Sequence, residues 1–443
     1  MSPPTTPLPR RDFITGAVAL SAATLTEPLL AQKAPRRDEL LGPILGHSSE
    51  TSAMVWLRAP VPGEWTLEVT PEAGGKAIRM KQAATEKDDL CLHWQVTDLQ
   101  PGSIYRYRIL REDGTEIAAH AEQTLTTAPP ADAPAKVRLA ISSCAKEDVG
   151  SRAVWNRMAS ENVDAVVLIG DTPYIDSTDL EKQTQRHREF AAVEEYQALL
   201  RSRPCWWTWD DHDFAGNDSS GLAAGKENAR LVVTRYRPQA VYGDGEGGIY
   251  TRFRRGPVEV FLLDTRWYAM TEPSFASSHR PTMLGAKQWE WLQQGLLAST
   301  APFKILACGV IWDDKLNAES DDWGTYKHEL TAIQKFIGEH KIPGVILMGG
   351  DIHASRVLCY PTEKNVGYKL VQFIASPIHA STIPSLNVYH PDLVRSAVEP
   401  NVFLRVDADA TVTPPQFVAT LINKDGEHVF SYHLSTDDLS PKS

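Results

Sequence analysis

Apolar and polar residues alternate in the first quarter of the chain, in short stretches that are separated by turn residues. The stretches are residues 52–58, 65–69, 91–96 and 99–109. A period of two is typical of strands with one buried face, and several of them at this spacing predict a β-sandwich. Residues 126–134 are rich in proline and alanine and predict a linker after the sandwich.

From residue 135 onward the pattern changes to continuous apolar runs that alternate with stretches of helical periodicity. The runs at 137–144, 164–171, 258–264, 304–310 and 345–353 predict buried strands, and 153–161, 180–200, 226–236, 285–297 and 327–339 predict helices. Three more strands are expected at 401–406, 416–422 and 428–433. This alternation predicts an α/β domain whose functional groups follow the carboxyl ends of the strands.

The stretch at residues 210–218 carries four carboxylates, one imidazole and one carboxamide directly behind Trp206, Trp207 and Trp209. Carboxylates crowded at the end of a buried run are costly unless a cation neutralises them. A multivalent metal ion is the simplest such cation. The alternative is an acidic surface loop that caps a helix.

Groups that can bind a metal follow four strands or loops of the predicted α/β domain. They are Cys144; Asp171 with Tyr174; Asp210, Asp211, His212 and Asn217; and Asp351 with His353. Each alone is common as a buried thiol, a packing residue or a cap. Because these residues follow several buried strands in turn, a single shared metal site is favoured.

The types of these side chains suit a site with two metal ions. A carboxylate such as Asp171 can bridge two ions, which together clamp a phosphate and lower the pKa of a shared water to give a hydroxide that attacks phosphorus. An imidazole beside them can protonate or stabilise the leaving oxygen. Thiolate and phenolate favour a trivalent ion such as Fe³⁺, whereas carboxylate and carboxamide sets suit Ca²⁺, Mg²⁺ or Mn²⁺.

The N-terminal segment predicts export. Arg10 and Arg11 precede a mildly apolar run at residues 16–30, as in a twin-arginine signal; a disordered tail is the alternative. The run is too short and too rich in alanine and threonine for a stable membrane span. The net charge of −11 argues against nucleic acid as a partner. We expect a periplasmic or secreted protein with the twin-arginine machinery as its export partner.

Several motifs resemble those of the alkaline phosphatase D family of metallophosphoesterases. They are Ser143-Cys144, GDTPY at 170–174, TWDDHDFAGND at 208–218, LLDTRWY at 262–268 and GGDIHA at 349–354. In addition, LQPGSIYRYRI at 99–109 resembles the element of fibronectin type III domains in which a tyrosine pins a corner.

The family resemblance implies an α/β fold (an α+β sandwich) with two central sheets flanked by helices. A fibronectin type III-like β-sandwich is expected to precede it in the chain. We expect an export leader at 1–34, the β-sandwich at 35–130 and the catalytic domain at 135–443. The implied activity is hydrolysis of phosphate monoesters or diesters, with small phosphate esters as substrates. The implied cofactors are Fe³⁺ and Ca²⁺, with Mn²⁺, Mg²⁺ or Zn²⁺ as alternatives.

The resemblance also implies roles for individual residues. The implied metal ligands are Cys144, Asp171, Tyr174, Asp211, Asn217, Asp351 and His353, and His212 would assist departure of the leaving group. The candidate pocket residues are Asp210, Arg266, Trp323, Tyr326, Arg356 and His379, with Asp210 and Asp213 alternatively supporting the ligands. This chain has Glu329-Leu330 where family members often have Glu-Arg, so a substrate-binding arginine is expected to be missing.

Two other readings remain open at this stage. One is an enzyme like the purple acid phosphatases, which share the tyrosine of the GDxxY motif, although the WDDHD stretch replaces their usual Asn-His pair. The other is a metal-stabilised binding protein without catalytic activity.

Overall fold

The computed structural model describes residues 38–117, 120–121, 123–312 and 321–442. The predicted export signal therefore lies outside the described residues. Within them, no helix combines the length and the apolar character needed to cross a membrane. All five cysteines are unpaired thiols.

The N-terminal part contains the predicted β-sandwich. Its strands are β1 Leu41–Ser48, β2 Ala53–Arg58, β3 Gly63–Pro71, β4 Ile78–Ala84, β5 Cys91–Val96, β6 Ile104–Arg111, β7 Glu116–Ile117 and β8 Thr124–Thr126. One sheet has the order β1-β2-β5 and the other β4-β3-β6-β7, with β8 also paired to β6. A core that includes Leu67, Trp94 and Tyr107 lies between the sheets. The predicted tyrosine corner is confirmed, because the hydroxyl of Tyr105 accepts a hydrogen bond from the backbone N–H of Gln100 at 2.7 Å.

The remaining chain forms two larger sheets with helices. Its strands are β9 Lys136–Ser142, β10 Ala165–Ile169, β11 Cys205–Thr208, β12 Thr251–Arg255, β13 Val258–Leu262, β14 Pro273–Ser274, β15 Ser277–Pro281, β16 Phe303–Ala307, β17 Val345–Gly349, β18 Ser355–Tyr360, β19 Leu370–Ile374, β20 Leu393–Ala397, β21 Val402–Asp409, β22 Gln416–Asn423 and β23 His428–Ser435. The helices are α1 Val149–Ser160, α2 Leu180–Ala191, α3 Glu194–Leu200, α4 Asp211–Phe214, α5 Lys226–Tyr236, α6 Gly285–Ala298, α7 Lys327–Glu339 and α8 Glu363–Val366.

The two sheets pack against each other through a shared apolar core. One has the order β11-β10-β9-β21-β22-β23 and the other β12-β13-β16-β17-β19-β18-β20. Strand β10 explains the continuous apolar runs: Val167 and Ile169 belong to the core between the sheets, while Val166 and Leu168 pack with residues of α1 and α3. A strand that is buried on both faces has no polar face to alternate. The predicted α/β class is confirmed.

Some predicted elements differ from those in the structure. The helix predicted at 180–200 is divided into α2 and α3, because the backbone is extended at Val193. No predicted strand corresponds to β1, β4, β7 or β8 of the sandwich, or to β11, β12, β14, β15, β18, β19 and β20. Most of the predicted buried strands end before their polar residues, which instead lie in the loops that follow.

Candidate active site

The candidate site lies where the carboxyl ends of strands from both sheets meet. Two glycines allow this close approach. A Cβ at Gly309, after β16, would lie 2.4 Å from Cγ of Asp210, which follows β11 of the other sheet. A Cβ at Gly350, after β17, would lie 2.4 Å from Oγ of Ser143. Loops from the two sheets therefore contact each other directly at this position.

Four of the predicted metal ligands have positive backbone φ angles. The values are 57° for Cys144, 54° for Asp171, 67° for Asp351 and 50° for His353. Non-glycine residues rarely adopt this left-handed conformation, and such residues cluster at functional sites. The sharp turn after each strand directs these residues into a common region.

Cys144, Asp171 and His353 form the first group, in which one ligand atom from each lies within 4.8 Å of the others. Sγ of Cys144 is 3.6 Å from Oδ2 of Asp171. The hydroxyl groups of Ser376 and Ser143 lie 3.2 Å and 3.3 Å from the same sulfur. Burial, followed by the charge of Asp171, raises the pKa of Cys144 well above the usual thiol value. A bound cation is needed to favour the thiolate here.

Tyr174 joins this group to two histidines. Its hydroxyl lies 2.7 Å from Nε2 of His353 and 3.2 Å from Nε2 of His379. Nδ1 of His379 accepts a hydrogen bond from the backbone N–H of Ser381 at 2.9 Å, so a neutral His379 carries its proton on Nε2. Burial, followed by nearby positive charge, lowers the pKa of His353 to about 4 and that of His379 to about 2. Both imidazoles are therefore neutral at pH 7.

Asp171, Asp211 and His212 form a second group with ligand atoms within 4.8 Å of one another. The backbone N–H of His212 lies 3.3 Å from Oδ1 of Asp171 and 2.8 Å from Oδ1 of Asp211. The backbone N–H of Asp218 donates to Oδ2 of Asp211 at 2.7 Å. Asp171 thus belongs to both groups and lies between them.

Two members of the acidic stretch form a helix cap, as the alternative reading expected, but they are buried and not part of a surface loop. Asp210 and Asp213 form a reciprocal capping box at the start of α4, in which the backbone N–H of Asp210 donates to Asp213 at 2.6 Å. Asp213 also accepts a hydrogen bond from the backbone N–H of Thr172 at 3.1 Å. These two carboxylates therefore fix the short helix that carries Asp211 and His212.

Arg266 is a fully buried cation behind this cluster. Its Nε donates to Oδ1 of Asp210 at 2.6 Å, and its Nη1 lies 2.5 Å from Oδ2 of Asp321. Arg266 also helps to lower the pKa of Asp211, against the effect of burial, together with His212 and two backbone N–H groups. Burial and then neighbouring carboxylates raise the pKa values of Asp171 and Asp351. One guanidinium is thus insufficient to neutralise the acidic cluster.

The other predicted pocket residues pack into the interior. Trp323 is fully buried and stacks on Trp312 with a centroid distance of 4.4 Å. Tyr326 is 4% exposed and immediately precedes α7. Arg356 is fully buried on β18, and its Nη1 lies 3.2 Å from Oδ1 of Asn387. Asn217, a predicted metal ligand, is exposed in the loop after α4.

Sequence reasoning missed several polar groups that the fold brings to the site. Nδ1 of His212 lies 2.5 Å from Oδ1 of Asp176, the last residue of the GDTPYID string. Asp218 and Asp321 form a third close group with Asp211. Lys146 lies over the ring of Tyr174. Proximity to a recognised motif was the available signal for Asp176 and Lys146. Asp218 belongs to the acidic stretch that the sequence analysis singled out, and Asp321 to the same loop as the predicted pocket residues Trp323 and Tyr326.

The fold and the chemical groups at this site are those of a phosphoesterase. The chain belongs to the PhoD-like phosphatase family, whose profile matches residues 139–410. Alkaline phosphatase D from Bacillus subtilis (strain 168) is 25% identical, over 78% of this chain and 71% of that protein. The protein is therefore a phosphoric ester hydrolase.

Solved structures support the same fold. A structure of PhoD superposes with a TM-score of 0.71 at 19% identity, covering 91% of this chain and 90% of that one. A purple acid phosphatase from yellow lupin (Lupinus luteus) seeds superposes with a TM-score of 0.67 at 14% identity, covering 91% and 77%. The architecture is thus shared with a purple acid phosphatase, while the sequence family is PhoD-like.

Proposed function

We propose that this hydrolase binds a trivalent and a divalent metal ion between its two sheets and uses them to cleave phosphate monoesters and diesters. The observation that carries the proposal is the group formed by Cys144, Asp171 and His353, with ligand atoms within 4.8 Å of one another. These residues follow three different strands, β9, β10 and β17, which belong to both sheets.

The donor set fits such ions. Nδ1 of His353 is buried and has no hydrogen-bond partner in the described part of the chain. The raised pKa values of Asp171 and Asp351 are those of carboxyl groups in a region that lacks enough positive charge. A thiolate, a phenolate and a neutral imidazole are suitable ligands for Fe³⁺, and carboxylate oxygens are suitable for Ca²⁺, Mn²⁺ or Mg²⁺.

We assign Cys144, Tyr174 and His353 to the trivalent ion, and Asp211 and Asn217 to the divalent ion. Asp171, which belongs to both close groups, would contribute to both sites, and Asp351 would complete the set. When bound, the pair supplies Lewis acidity that polarises phosphate oxygens and makes a water molecule more acidic.

The residues of the chain itself perform the remaining tasks. His212 carries the proton that the leaving oxygen needs, and Asp176 holds its imidazole through Nδ1. His379 hydrogen-bonds the phenol of Tyr174 and orients it. Arg266 supports Asp210 and Asp321 rather than touching phosphate, since its guanidinium is already engaged by both. Tyr326, Trp323 and Arg356 shape the surrounding core.

The remaining parts of the proposal concern organisation and location. We assign residues 35–130 to the β-sandwich domain and 135–443 to the catalytic domain, because each part has its own sheets and core. The paired Arg10 and Arg11 support twin-arginine export to the periplasm or the medium. Expression of the full chain in a host without twin-arginine transport would test this: export that persists there contradicts it.

Elemental analysis and a phosphate-ester panel test the proposed site. We expect protein from its native host to contain both metals and to hydrolyse p-nitrophenyl phosphate or its bis ester. Cys144→Ala and Asp171→Ala should each lose metal and activity together. Retained metal in both variants contradicts the ligand assignment, and absence of hydrolysis by fully metallated protein favours a binding role instead.

A further inference from the structure

Lys146 has a position at the candidate site that the metal and leaving-group roles leave unexplained. It follows Cys144 by two residues in the loop between β9 and α1, and it is half-buried. Its Nζ lies 4.4 Å from the centroid of the Tyr174 ring. The hydroxyl of that ring contacts His353 and His379, so the ammonium group lies beside the predicted metal ligands.

The charge of Lys146 is not compensated by an acidic side chain. Among the residues that the structure describes, no carboxylate forms an ion pair with it. Its two acidic neighbours are engaged elsewhere. Glu147 contacts Arg186 through both oxygens at 2.8 Å and 2.9 Å. Asp148 caps α1 at the backbone N–H of Ser151 and also accepts from the backbone N–H of Ala380.

The surrounding contacts hold this loop in place. Arg186 donates through Nε to the backbone carbonyl of Tyr174 at 3.1 Å, while its Nη2 binds Glu147. The same arginine therefore connects the segment next to Lys146 with the segment that carries Tyr174. The Lys146 side chain is flexible and ends in an ammonium group with three hydrogen-bond donors, while the backbone of its loop is held in place.

We propose that the ammonium group of Lys146 binds the second negatively charged oxygen of the substrate phosphoryl group. This contact selects phosphate monoesters over diesters. This inference rests on the proposed hydrolysis at the same site. A monoester is a dianion near neutral pH, whereas a diester has one charge and a second organic group in place of the charged oxygen. An ammonium group without a carboxylate partner stabilises the dianion more strongly.

Substitutions at Lys146 separate charge from packing when kcat/KM is measured for p-nitrophenyl phosphate and bis(p-nitrophenyl) phosphate. In Lys146→Met, the monoester value should fall about tenfold or more and the diester value less than about threefold. Lys146→Arg should retain the wild-type ratio within about threefold. Lys182→Met removes an exposed lysine from α2 and should change neither value. An equal loss for both esters, or no loss for either, overturns the proposal.

Binding of inorganic phosphate and dimethyl phosphate, measured by calorimetry on metal-loaded protein, provides a test independent of turnover. Lys146→Met should weaken phosphate binding about tenfold and leave dimethyl phosphate binding nearly unchanged. If the wild-type protein hydrolyses neither ester, the proposed function fails while this affinity ratio still decides the role of Lys146. An unchanged ratio in Lys146→Met contradicts it. If Lys146→Met loses its metals, the ratio of phosphate to dimethyl phosphate affinity is measured in Lys146→Arg instead. A shift of that ratio from the wild-type value contradicts the proposed role of Lys146.

Discussion

The hydroxyl of Tyr174 lies 2.7 Å from Nε2 of His353, although 179 residues separate them in the chain. Tyr174 follows a strand of one sheet and His353 a strand of the other. This contact therefore crosses the junction of the two sheets. It joins the phenol and the imidazole that we assign to the same metal ion.

Tyr174→Phe is expected to lower the iron content and to remove any visible absorption that arises from a phenolate ligand. The fold should be retained, because the aromatic ring keeps its contact with His212 and a lost hydrogen bond costs about 1 kcal/mol. Elemental analysis and absorption spectra measure the effect. Tyr105→Phe, which also removes a hydroxyl hydrogen bond but in the sandwich, should leave metal content unchanged. Equal iron content in both variants would argue against a ligand role.

His212→Ala should lower kcat by about 10²-fold or more while both metals stay bound, because a positioned proton donor contributes on this scale. Asp176→Asn should lower kcat by a smaller factor, about tenfold. The His212 imidazole is still present in this variant, but the contact that orients it is weaker. Steady-state kinetics with metal analysis measures both. Asp179→Asn alters the nearby cap of α2 and serves as the control, with turnover expected to be normal. Normal turnover in His212→Ala would remove it from the mechanism.

Arg266→Met should destabilise the protein by about 3–5 kcal/mol, because it leaves Asp210 and Asp321 without their buried cationic partner. Denaturant unfolding measures the loss. The double variant Arg266→Met with Asp210→Asn should recover part of the lost stability, because one uncompensated negative charge is removed. The exposed Lys81–Glu64 pair is the control, and Lys81→Met should leave stability unchanged. Wild-type stability in Arg266→Met would show that Arg266 is not needed to neutralise the acids.

The stability that Asp213 contributes to the metal-free protein should be lost as the pH rises from about 4 to about 7. Burial raises the pKa of Asp213 to about 7, against the effect of two backbone N–H groups. A folded-state pKa above the unfolded value means that the folded state binds more protons in this window, so the stability that protonation provides is lost as pH rises. One unit of pKa shift corresponds to about 1.4 kcal/mol.

Urea unfolding of chelated protein at about pH 5 and about pH 7 measures this effect. Asp213→Asn cannot ionise, so its stability relative to the wild type should increase between these two pH values. Added metal should reduce this difference, because it supplies the positive charge that the acidic cluster lacks. A stability curve of Asp213→Asn parallel to that of the wild type would contradict the assignment.

The sequence was sufficient to predict the secondary structure that depends on local patterns. Helices α5 and α7 have the predicted bounds, and strands such as β5 and β22 differ by at most one residue. Their apolar periodicity is a property of neighbouring residues. In contrast, β19 is inserted between β17 and β18, so these strands are not adjacent in chain order, and β1 and β20 lie at sheet edges. Such pairing depends on long-range register, which a local pattern does not contain.

The amino-acid sequence by itself determined which chemical groups are available: one thiol, one phenol, several carboxylates and imidazoles, each placed just after an apolar run. The tertiary structure decided which of them meet. It brought Cys144, Asp171 and His353 together, engaged Arg266 with two acids and left Lys146 facing Tyr174. The physical reason is that distances between loops on different sheets follow from how the sheets pack, and packing is set by the whole core rather than by any one segment.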